Sequence, residues 1–142
     1  MLILKFGYKG NKVPKKNDTF TITLGKTHLG WGTHRYTSSR EIIYDEGYLP
    51  IPKDIAINLN IYMSNKEDAN IIYNFSTNDG FYSNEELKAS GCSNAGDIYA
   101  KNLAGNGDLK LLGKWFTHIN AKEGDKIKIL FTSPTQIILS KI

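Results

Sequence analysis

The sequence predicts a mainly β domain with two short helices, its sheet closed or partly closed and its ends plugged by the helices. Three observations predict it. Several stretches alternate apolar and polar residues with a period of two. Two others carry apolar residues at helical spacing. The chain has 142 residues, one domain's worth, enough to bury roughly two-thirds of its unfolded surface.

The first strand is "DTFTITLG", with Phe20, Ile22 and Leu24 on one face, Thr19, Thr21 and Thr23 on the other, and Gly25 closing it. "IPKDIAINL" reads as a helix, since Ile51, Ile55 and Leu59 fall at i, i+4 and i+8 and Pro52 suits a first turn. "NIIYNFST" places Ile71, Tyr73 and Phe75 on one face of a strand. "NDG" (Asn78, Asp79, Gly80) then turns the chain into "FYS" as a hairpin. "DIYAKNL" is a further strand. In "DLKLLGKWFTHI", Asp108 is placed as N-cap, and Leu109, Leu112, Phe116 and Ile119 form an apolar stripe, widened by Leu111 and Trp115. "DKIKILFT" turns Ile127, Ile129 and Phe131 inward, Pro134 marks a turn, and "QIILSKI" is the last strand.

Composition removes several classes. At 40% hydrophobic and 23% charged residues, the chain is not a disordered tail, a collagen or a coiled coil. A single cysteine, Cys92, excludes an internal disulfide framework and a Cys-based zinc finger. No apolar run approaches the roughly 18 residues of a membrane span. "MLILKFGYKG" lacks the basic lead of a signal peptide. A soluble, cytoplasmic protein with no membrane partner is the expectation.

The net charge of +4 is unevenly spread. Residues 1–40 carry a net +7, residues 41–100 a net −7 and residues 101–142 a net +4. If the basic ends meet in space, one face is positive and suits a polyanion.

Two segments fit neither period. Residues 25–48 hold Lys26, His28, Trp31, Thr33, His34, Arg35, Tyr36, Ser38, Ser39 and Arg40, including both arginines of the chain. Residues 90–110 hold Ser93, Asn94, Asp97, Tyr99, Lys101, Asn102, Asn106 and Lys110 among several glycines. Ordered loops this long are usually functional. Arg forks pair with guanine or phosphate, Asn with adenine, Asp with the cytosine amino group, and hydroxyls with phosphate. The competing reading of Arg35 and Arg40 is surface ion pairing with Glu41, Asp45 or Glu46. Trp31 is expected to pack at the base of its segment.

Enzyme signatures are faint. His28, His34 and His118 have no zinc-like spacing. Asp79 with Glu86 and Lys88 echoes the carboxylate and Glu-x-Lys layout of Mg²⁺ nucleases. Cys92 has no nearby His in sequence, and "GNG" (residues 105–107) lacks the Lys-Ser/Thr of a P-loop. No metal site and no cofactor is expected.

"LGWG" followed by Arg35, then "GYLPIPKDIA", "KNLAGNGDLKLLGKWF" and "EGDKIKILF", in that order, resemble the DNA-binding pseudobarrel of restriction endonucleases of the BfiI, NgoFVII and EcoRII N-terminal type. That module is similar to the plant B-three domain. The resemblance covers residues 18–142, with residues 1–17 as a basic lead to a single domain. The chain also looks like the recognition domain of a LlaJI-type, McrBC-like restriction subunit. The resemblance implies a seven-stranded open β-pseudobarrel with helices at its ends. It implies two arms, residues 26–46 and 93–107, that enter the major groove of double-stranded DNA. The implied partners are duplex DNA and other parts of a restriction complex, such as an NTPase motor and a nuclease. Where relatives carry two basic residues after the aromatic pair Trp115-Phe116, this chain has Thr117 and His118.

The expectation is therefore a non-catalytic module for sequence-specific DNA recognition. Its candidate contacts are Lys26, His28, Thr33, His34, Arg35, Tyr36, Ser38, Ser39, Arg40, Ser93, Asn94, Asp97, Tyr99, Lys101, Asn102, Asn106 and Lys110. The alternatives are a small Mg²⁺ nuclease built on Asp79, Glu86 and Lys88, and a protein- or glycan-binding barrel.

Overall fold

The structure, a computed structural model, describes residues 13–30, 46–91 and 96–142. Along the chain it has β1 (Thr19–Thr23), α1 (Lys26–Leu29), β2 (Leu49–Pro50), α2 (Lys53–Leu59) and β3 (Ile72–Thr77). There follow β4 (Glu85–Ser90), β5 (Asn102–Gly105), α3 (Leu111–His118), β6 (Lys126–Ser133) and β7 (Gln136–Lys141).

Among the described residues, seven strands form one sheet in the order β1-β6-β7-β3-β4-β5-β2. Neighbours are antiparallel except β3 and β7, which run parallel with Phe75 opposite Ile137. The sheet curls so that its two outer strands approach. Across the remaining seam, the Tyr48 amide donates to the His28 carbonyl at 3.1 Å. The result is a nearly closed β pseudobarrel.

Period-two alternation builds its interior. Phe20 and Ile22 from β1, Tyr73 and Phe75 from β3, Leu87 and Ala89 from β4, and Ile127, Ile129 and Phe131 from β6 are all buried, while their neighbours on each strand face outward. Tyr73 meets Phe131 edge to face at 5.7 Å between ring centres.

The helices stopper the two ends. At one end, α3 buries Leu112, Trp115 and Phe116. The buried indole of Trp115 donates to Asp79 Oδ2 at 3.0 Å, and the Tyr82 hydroxyl donates to the Leu111 carbonyl at 2.8 Å. Gly105 precedes this helix because nothing larger fits: a Cβ there would lie 2.0 Å from the Asp108 carbonyl oxygen. At the other end, α2 buries Ala56, with Ile55 and Leu59 packed against the core. Asn60, in the left-handed conformation, ends α2.

Several expectations shift. "FYS" is not the returning strand. The turn at Asn78–Gly80 is present and Thr77 bonds back to Tyr82, but the ladder with β3 begins only at Glu85, as Phe81 stacks on His118 and the Tyr82 hydroxyl reaches Leu111 on α3. "DIYAKNL" splits: Ile98 and Ala100 bond to Met63 and Ile61, while β5 begins at Asn102. The N-cap position of α3 is Lys110, and Asp108 Oδ1 instead accepts the Lys110 amide one turn earlier. Leu109 is exposed, so the buried stripe starts at Leu112. A third short helix, α1, lies in the first irregular segment. Among the described residues, no helix is long and apolar enough to cross a membrane.

Candidate nucleic-acid interface

The first irregular segment leaves the barrel through α1 and returns at Glu46. Its root is firmly built. The Gly25 amide donates to His28 Nδ1 at 2.8 Å, and the imidazole stands edge-on against Tyr48 at 5.1 Å. Burial pushes the His28 pKa below its ordinary value, so the ring is neutral near pH 7. With Nδ1 accepting, the proton sits on Nε2, the one N–H left to donate. On the return, the Gly47 amide donates to the Leu109 carbonyl at 3.1 Å. A Cβ on Gly47 would come within 3.0 Å of both the His28 carbonyl and the Phe116 ring, so the backbone here is pressed between α1 and α3. Lys26 stands exposed beside this root.

The second segment leaves from Ser90 and returns through Asp97–Lys101. Tyr99 stacks on Tyr62 with ring centres 5.3 Å apart. Asp97 Oδ1 accepts the Tyr99 amide at 3.1 Å, and its other oxygen lies 3.9 Å from Lys53 Nζ. The Tyr99 amide is the main reason the Asp97 carboxyl is held below its ordinary pKa, with Lys53 and Lys101 adding to it. The Asp97 carbonyl also accepts from Asn65 Nδ2. A pocket of about 260 Å³ opens here, between the start of α2 and Asp97–Lys101.

The two roots sit beside opposite ends of β5. β2 and β5 are antiparallel, with Leu49 opposite Leu103 and Pro50 opposite Asn102. The first segment therefore re-enters beside the end of β5, and the second feeds its beginning. The four residues of β5 span about 10 Å, three steps of roughly 3.4 Å. The outer face of β4, β5 and β2 forms the wall between. Ser90 faces Asn102 in register, and the Ser90 hydroxyl donates to Asn102 Oδ1 at 2.7 Å. Lys88 is exposed and lies opposite the small Ala104.

Of the seventeen predicted contact residues, Thr33, His34, Arg35, Tyr36, Ser38, Ser39, Arg40, Ser93 and Asn94 lie outside the described residues. The other eight divide by barrel end. Lys26, His28, Asn106 and Lys110 gather at the α3 end; Asp97, Tyr99 and Lys101 gather at the α2 end, and Asn102 sits on the wall. The sequence grouped Asn106 and Lys110 with the second segment, whereas the fold places them beside the root of the first. Lys26, Lys101 and Lys110 are exposed. Others are engaged internally. Asn106 donates to Glu86 Oε1 at 3.0 Å, Asn102 takes the Ser90 hydroxyl, and His28 caps its own turn.

The basic ends of the chain do meet, since β1 pairs with β6. Their exposed lysines, Lys126 and Lys128, flank the threonine face of β1 and lie away from the wall. Among the described residues around the wall, Lys26, Lys88, Lys101 and Lys110 are interleaved with Glu86, Asp97 and Asp108.

Of the nuclease alternative's three residues, Asp79 and Glu86 hold internal hydrogen bonds and Lys88 is exposed. Asp79 accepts Trp115 Nε1–H and the Phe81 amide, and Glu86 accepts from Asn106. Among the described residues, no group of three or more His, Cys, Asp or Glu is placed to hold a metal ion.

Sequence reading missed Lys88 and Ser90 as wall residues and Lys53 as a pocket residue. The signal was the alternation of Lys88 and Ser90 with Leu87 and Ala89. Two glutamates at the head of this strand, a residue type depleted in sheets, concealed it. Compared with known proteins, the chain matches no family model and no curated protein.

Proposed function

We propose that this domain binds double-stranded DNA sequence-specifically, as a target-recognition module of a restriction system. One observation carries the reading. The two segments that break the sequence periodicity are rooted beside opposite ends of β5, whose four residues span about 10 Å, close to the roughly 12 Å width of a B-DNA major groove. Segments so spaced suit the two edges of the groove, with the wall of β4, β5 and β2 facing it. The chemistry of the segments agrees. Lys26, Lys101, Lys110 and the wall's Lys88 supply phosphate contacts, and Arg35 and Arg40 supply forks for base edges. Cleavage and nucleotide hydrolysis belong to other parts of such a system.

Selection of bound duplexes from a random-sequence pool tests this. Enrichment of one short motif is the expected result. A pool that stays random after repeated rounds, or recovery only of single strands, rejects the reading.

A further inference from the structure

We propose that the pocket at the root of the second segment receives a single nucleobase carrying an exocyclic amine, swung out of the duplex. This rests on the DNA-binding reading and deepens it.

Size limits the occupant first. At about 260 Å³, the pocket falls below the roughly 300–1,000 Å³ of sites for drug-sized ligands. It would hold one heterocycle and not two.

The lining selects the class. The floor is apolar: Ile51 and Ala100 are buried, and the Tyr99 ring is held in place by its stack on Tyr62. An apolar floor with a fixed aromatic ring suits a planar base. One acceptor stands at its side. Asp97 Oδ1 accepts the Tyr99 amide, the Ile98 amide and Lys101 also act on the carboxylate, and Oδ2 lies 3.9 Å from Lys53 Nζ, too far for a hydrogen bond. The Lys53 side chain is 73% exposed, so this ion pair yields readily to a better donor. A carboxylate oxygen whose ion pair is this loose accepts the N–H of cytosine N4 or adenine N6 and repels the O4 of thymine. Lys53 and Lys101 at the rim carry the charge needed for the phosphates on either side of an everted nucleotide.

The probes are four labelled duplexes, identical except for a single extra cytosine, a single extra thymine, an extra abasic nucleotide, or none. Fluorescence anisotropy gives the affinity of the full chain for each. The cytosine bulge should bind tighter than the thymine bulge by about three- to tenfold, the worth of one hydrogen bond. Asp97→Asn keeps an oxygen for the Tyr99 amide and turns an NH₂ donor toward the pocket. It should reverse the order, with the thymine bulge now the tighter. Equal affinities for all four duplexes, or a cytosine preference that survives Asp97→Asn, overturn the pocket assignment and leave duplex binding standing. Failure to bind any of the four overturns both.

Discussion

The Tyr48 amide donates to the His28 carbonyl at 3.1 Å, and this bond joins the strand at one edge of the sheet to the helix that follows the strand at the other. It spans the seam of the barrel at the root of the first irregular segment. Whatever loosens α1 therefore loosens both the barrel closure and the base of a proposed DNA-gripping segment.

His28 makes that coupling sensitive to acid. Its folded pKa is lowered by burial, so its contribution to stability is fully present above the unfolded value of about 6.5 and is lost as pH falls through the lower folded value. Protonation also removes the Nδ1 acceptor used by the Gly25 amide. Thermal unfolding between pH 5 and 8 should show the wild-type chain weakening on the acid side. His28→Leu, which cannot titrate, should be less stable at pH 8 and flatter across the range. Equal pH slopes for the two proteins would remove His28 from this role.

A second prediction concerns the α3 end. The Trp115 side chain is fully buried, and its N–H is paired with Asp79. Asp79→Ala leaves that donor without a partner and should cost about 1–3 kcal/mol in denaturant unfolding. Asp79→Asn keeps an acceptor oxygen and should cost less. Burial alone would raise the Asp79 pKa, but the bonds from Thr77, Phe81 and Trp115 outweigh it and hold the carboxyl below its ordinary value. Its contribution is thus present above about pH 4 and is lost as pH falls through the folded value. Similar losses for Ala and Asn would show that the acceptor is not what matters.

Much of this fold was legible in the sequence, for a local reason. Alternation over Phe20–Ile22, Tyr73–Phe75 and Ile127–Phe131 placed β1, β3 and β6 and their inner faces, because half-buried strands write burial directly into a period of two. The errors came where tertiary contacts outrank local pattern. Phe81 and Tyr82 have strand-forming side chains, yet their rings go to His118 and Leu111, more than 25 positions away in sequence, and the ladder starts only at Glu85. β2 has two residues and no period to read. The candidate site was legible as two irregular segments, but their spacing is a property of the β2–β5 pairing, which no local pattern encodes. That pairing also moved Asn106 and Lys110 to the other end of the barrel.

The wall predicts which lysines matter. Lys88 faces outward between the two roots, whereas Lys126 and Lys128 lie on β6, away from it. Lys88→Glu should weaken binding to a selected duplex more than the double change Lys126→Glu with Lys128→Glu. Gel-shift titrations at fixed salt decide. The opposite ranking would place the DNA on the β1–β6 face.

The segments divide labour in the same account. Arg35→Ala or Arg40→Ala should relax preference at a single base pair by about 1–3 kcal/mol. Lys26→Ala and Lys110→Ala should weaken all sequences alike and lower the salt slope by about one each. A binding series over single-base variants of the selected site separates the two patterns. Uniform losses for all four variants would contradict the division.

The most direct test of the central claim is the affinity of the chain for its selected duplex and for a scrambled duplex of the same composition, each measured across a range of salt. The account predicts that the selected site binds at least about 10³-fold tighter, with both affinities falling log-linearly as salt rises. Equal affinity for the two duplexes, or binding that salt leaves untouched, would contradict it.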